Sequence, residues 1–110
     1  MRLTLHIDDK IQQLEVQESI LEEGADFFEK MDKDMDKGWQ MSREWIESPT
    51  VEQRCQIAAD KMLSALSAEN ETLLLLMSGY ILSRMPGVTE IHLNTEGEML
   101  ETELVAGQQG

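Results

Sequence analysis

Thr72-Leu73-Leu74-Leu75-Leu76-Met77-Ser78-Gly79-Tyr80-Ile81-Leu82 is the stretch in which apolar residues cover every side of a helix. A surface helix keeps a polar face, so a helix apolar all round belongs inside something. Eleven helical residues rise about 16 Å, roughly half of a bilayer core, which excludes a membrane span. The stretch therefore predicts a buried central helix, with Leu73, Leu75, Leu76, Tyr80 and Ile81 inaccessible. Asn70 is placed to cap its start, Glu71 and Arg84 suit its two ends, and Met85-Pro86-Gly87 stops it. Gly79 costs about 1 kcal/mol relative to alanine in mid-helix, so a close neighbour is expected there.

Upstream, residues 50–66 form the next helix, which Thr50 and Gln53 begin with a capping box. Val51, Cys55, Ala58, Ala59, Met62, Leu63 and Leu66 face inward, and the short link 67–69 makes it an antiparallel neighbour of the central helix. Ser48-Pro49 ends whatever precedes it. Over residues 20–47, Leu21, Phe28, Met31, Met35, Trp39, Trp45 and Ile46 make one helical stripe. As one rod it would be about 42 Å long, too long for a domain of this size, so it either breaks near Gly38 or projects into a partner. Ser19 with Glu22 reads as the capping box that starts it.

The two ends of the chain alternate with the period of half-buried strands. Leu3, Leu5 and Ile7 share one face, Leu14 and Val16 return inward after Asp8-Asp9-Lys10, and a hairpin is favoured over an early helix start. Residues 88–94 repeat the pattern, 95–98 turn, and 99–105 return. Leu5-His6-Ile7-Asp8 resembles Ile91-His92-Leu93-Asn94, which suggests that the hairpins pair. The expected fold is α+β: three or four helices around a buried central helix, with a small antiparallel sheet from the N- and C-terminal hairpins. Residues 1–105 make one domain, and 106–110 a flexible tail.

With 22 acidic residues against 9 basic ones, the net charge of −13 repels phosphate backbones and anionic membrane surfaces. Cys55 is alone and no signal peptide begins the chain, so a cytoplasmic location is the default. The chain carries no phosphate loop, nucleophile elbow, paired-cysteine motif or His-Glu helix motif, no cofactor is expected, and the reading leans away from an enzyme.

The expected function is a non-enzymatic accessory or protein-interaction domain, homodimeric or bound to another protein. Its contact residues are Met35, Trp39, Met41, Trp45 and Ile46, because the two tryptophans fall on one stripe in a chain with five aromatics. The alternative is a divalent-cation site. Met31-Asp32-Lys33-Asp34-Met35-Asp36-Lys37-Gly38, followed by Glu44, resembles an EF-hand loop, with Asp32, Asp34, Asp36 and Glu44 as oxygen ligands. Gly38 and Glu44 each fall one position late, and a helix with intrahelical ion pairs such as Glu29 with Lys33 accounts for the same residues. His6, His92 and Glu90 form the weakest constellation, a transition-metal or proton-transfer site if the two strands adjoin.

Overall fold

The computed structural model describes residues 1–107. Two β-strands, β1 (Arg2–Ile7) and β2 (Lys10–Glu15), form the first hairpin, and Leu3 and Leu5 are fully buried on its inner face. The chain then enters α1 (Ser19–Glu23) and α2 (Ala25–Met35), a small hairpin of β3 (Trp39–Met41) and β4 (Glu44–Ile46), and the long helices α3 (Val51–Ser67) and α4 (Glu71–Arg84). It closes with β5 (Val88–Leu93), a single 3-10 turn (Met99–Glu101) and β6 (Glu103–Ala106). The class is α+β, as the alternating periods imply.

The terminal hairpins do pair, but their junction is parallel. The strand order is β2-β1-β5-β6, and β1 runs alongside β5 in the same direction with Leu5 opposite Ile91 and His6 opposite His92. This departs from the all-antiparallel sheet expected of two hairpins. Parallel neighbours need a long crossover, and the helices between β2 and β5 supply one. The four inner leucine and isoleucine positions of the central pair, Leu3, Leu5, Ile91 and Leu93, are buried, while β2 lies at an edge and is mostly exposed.

The helix starts follow the caps unevenly. Thr50 and Gln53 form both bonds of their capping box, and Asn70 accepts from the Leu73 N–H at 3.1 Å. Ser19 is instead the first helical residue and makes no cap; Glu18 takes the capping position without a side-chain bond. Along α4 the burial is concentrated in the second half. Leu74, Met77, Tyr80, Ile81 and Leu82 are buried, whereas Leu73, Leu75 and Leu76 are only half-buried because the first turns lie at the rim of the helical layer. Val51, expected inward, is also exposed, since it opens the first turn of α3.

The residue 20–47 stripe does not form one rod. It bends at Gly24 between α1 and α2, and Gly38, at φ +100°, stops the helix. The chain then enters the β3–β4 hairpin, turning through Ser42 at φ +60°. Gly79 has its close neighbours: a Cβ there would stand 2.6 Å from Ile20 Cγ2 and 3.0 Å from Phe28 Cζ. The flexible tail expected over 106–110 does not include its first two residues. Ala106 belongs to β6, and Gly107 donates its N–H to the Gly87 carbonyl at 2.9 Å, while 108–110 lie outside the described residues. No helix among the described residues is long and apolar enough to cross a membrane.

Candidate functional site

A cleft of about 450 Å³ opens where α2, β3, α3 and α4 converge. On α2 the residues that meet it, Phe27, Lys30, Met31, Asp34 and Met35, recur at i, i+3, i+4, i+7 and i+8, the spacing of one helical face. Met35 is buried and forms part of the floor, Met31 is half-buried, and Phe27 stands 42% exposed at the rim. Trp39 from β3 makes a side wall, and Leu73 and Met77 from α4 complete the apolar lining. Three methionines and two aromatics give a surface that adapts its shape, which suits contact with a protein segment.

The polar groups around this groove are few. Lys61 on α3 holds its ammonium 5.1 Å from the centroid of the Trp39 ring, so the charge sits over the π face. Lys30 lies across the opening on α2. Among the described residues neither lysine forms an ion pair, although the chain carries more than twice as many acids as bases.

The five residues expected to make the association surface therefore separate. Trp39 lines the groove as half-exposed wall and Met35 as buried floor. Met41 is wholly buried, because it pairs on the inward face of the hairpin and packs into the core, so it is no surface residue. Ile46, opposite Trp39, is half-buried against that core. Trp45 is 56% exposed but stands outside the groove, with its ring against Gly38. Phe27, Lys30, Lys61, Leu73 and Met77 were missed. Phe27 was off the main stripe next to buried Phe28, and an aromatic off its helix's buried face is the signal that pointed to it.

The EF-hand-like carboxylates are not brought together. Asp32 and Asp34 are within α2 and Asp36 caps its end, so they fan around a helix instead of converging, while Glu44 is on the exposed β4. Asp32 is already occupied. Its Oδ2 accepts from Arg84 Nε at 3.1 Å and Nη2 at 2.6 Å, and its Oδ1 accepts from the Tyr80 hydroxyl and from Arg54 Nη1. Arg54 also donates from Nη2 to Asp36 Oδ1 at 2.7 Å and from Nε to the Pro49 carbonyl at 3.0 Å. Burial pushes the Asp32 carboxyl up, but the Tyr80 and Arg84 hydrogen bonds and the guanidinium charges outweigh it and hold it below the usual carboxylate range. Burial first, and then the bond to Asp32, raises the Tyr80 phenol. The cluster is thus a clasp joining α2, α3 and α4, with both Asp32 oxygens accepting from arginines and Oδ1 also from Tyr80.

Cys55 is buried in α3, and burial pushes its thiol up to about 12, which leaves it protonated and inert. The histidines do adjoin: His6 and His92 stack with centroids 4.2 Å apart, and His6 meets Glu90. Comparison with protein-family models, with curated proteins and with solved structures finds no match.

Proposed function

We propose that the chain is a non-enzymatic interaction domain that associates with a second copy of itself through the outward face of α2 and the groove beside it. The observation that carries this is the order of residues on that face: Phe27, Lys30, Met31, Asp34. A two-fold axis laid across an antiparallel pair of such helices sets the apolar residues of each against the other and places Lys30 of one copy near Asp34 of the second. An isologous interface requires this kind of self-complementarity. Lys30, which forms no ion pair among the described residues although Asp34 lies one turn further along its own helix, gains a carboxylate from the second copy. Phe27 gains a groove.

A stable interface buries roughly 800 Å² per partner, more than one helix face, so the groove walls Trp39 and Leu73 belong to the contact as well. Two copies at −13 each repel over long range, and salt screens that repulsion. The same charge disfavours nucleic acid as a partner. A lone, buried, protonated cysteine is in keeping with a reducing cytoplasmic setting.

Sedimentation equilibrium over a range of concentrations tests the reading. The wild-type mass should rise from monomer to dimer, more readily at higher salt, and Phe27→Asp should hold the monomer at the same concentrations with an unchanged melting midpoint. A monomer mass throughout for the wild type overturns it.

A further inference from the structure

The outer face of the main sheet carries a constellation that the groove does not use. Parallel pairing sets His6 of β1 directly opposite His92 of β5, and the ring planes lie within 2° of parallel. Glu90 precedes His92 by two residues, so both side chains leave the same face of the strand. A carboxylate only accepts, so His6 donates from Nε2 to Glu90 Oε1, at 2.9 Å. One donor atom from each of the three residues lies within 4.8 Å of the other two, and among the described residues this is the one such grouping of three.

We propose that His6, Glu90 and His92 bind a divalent transition-metal ion of the zinc type. Two imidazole nitrogens and one carboxylate oxygen match the donor set of three-ligand zinc centres, which leave the fourth tetrahedral position to water. Bonds of about 2.1 Å at tetrahedral angles put donors roughly 3.4 Å apart, so His6 Nε2 and Glu90 Oε1, now 2.9 Å apart, must open by about half an ångström while His92 closes on them by up to about 1.4 Å. His92 is exposed on its outer side, and turning about its side-chain bonds off the stack brings its lone pair towards that of His6. His6 yields Nε2 by keeping its proton on Nδ1, and the Glu90 oxygen exchanges that hydrogen bond for a bond to the metal.

The surroundings favour a cation. Glu103 faces His92 across the antiparallel β5–β6 pair, and Asp8 and Glu96 line the shallow depression beside the two histidines. Calcium and magnesium prefer sites built of oxygens, whereas imidazole suits zinc, copper and nickel. Bound there, the ion would bridge the single parallel contact that joins the N-terminal hairpin to the C-terminal one. It would therefore stabilise the fold by mass action.

Calorimetric titration of the metal-free full chain with zinc chloride, in a millimolar calcium background that occupies scattered carboxylates, tests the assignment. One zinc per chain should bind, and the melting midpoint should climb with zinc concentration. His92→Ala removes an exposed side chain and should leave the zinc-free melting midpoint in place while weakening binding at least tenfold, about the lower bound for disturbing even an outer-shell partner. Glu90→Gln should weaken it in the same direction, and cobalt should show a tetrahedral absorption spectrum that His92→Ala abolishes. No zinc binding by the wild type, or an isotherm unchanged in both variants, overturns the proposal.

Discussion

Asp32 is where three helices are tied, and its partners lie 22, 48 and 52 residues away along the chain. Its acidity was visible in the sequence; Arg54, Tyr80 and Arg84 as its partners were not, because no local spacing links them. Because the folded carboxyl is held below its unfolded value, its contribution is fully present above the ordinary carboxylate range near about pH 4. It is lost as the pH falls through the lowered folded value. Asp32→Asn should therefore cost roughly 1–3 kcal/mol at neutral pH, since part-buried Arg84 loses its carboxylate while Arg54 keeps Asp36. Urea unfolding at neutral and acid pH should show the wild-type advantage shrinking on acidification. Gly79 is where α4 meets α1 and α2 closely. Gly79→Ala gains helix propensity of about 1 kcal/mol, yet its Cβ would meet Ile20 and Phe28, and overpacking costs about 1–3 kcal/mol. Its urea midpoint should fall, not rise.

Elements with strong caps or strong alternation were legible: α3 from Thr50, α4 from Asn70, and β1 and β5 from their period of two. The segment 39–46 was not. Trp39, Trp45 and Ile46 fit helical spacing, while each strand of the hairpin is only three residues long, too short for its alternation to compete. The deciding residue is Gly38 at φ +100°, which packs under the Trp45 ring. Gly38→Ala should raise amide exchange across 39–46 well above that of α3, because a hairpin of this size has little stability of its own. Within α4, burial separates neighbours that the sequence treated alike. Ile81→Ala should cost about 2–5 kcal/mol and half-buried Leu76→Ala about 1–2, as read from denaturant midpoints. Since α2 keeps Asp32, Asp34 and Asp36 apart, millimolar calcium should move the melting midpoint no more than sodium at equal ionic strength. A calcium-specific rise lost in Asp32→Asn with Asp36→Asn would restore the cation reading of that segment.

At the scale of the molecule, the class and the pairing of the terminal hairpins followed from hydrophobic periodicity, which reports faces and burial. It says nothing of strand direction, so the parallel β1–β5 junction was beyond its reach. The groove was half legible in the same way: Met35 and Trp39 came from the stripe, but Lys61, Leu73 and Met77 are brought to it by the packing of α3 and α4. Self-association through that groove is the central claim, and charge reversal tests it most directly. Lys30→Asp opposes Asp34 of the second copy, while the double variant Lys30→Asp with Asp34→Lys restores opposite signs across the axis without restoring either original residue. Sedimentation equilibrium of the wild type and these variants is the measurement. The dimer should weaken in Lys30→Asp and recover in the double variant; equal masses for all of them, or a double variant weaker than the single one, would contradict the account.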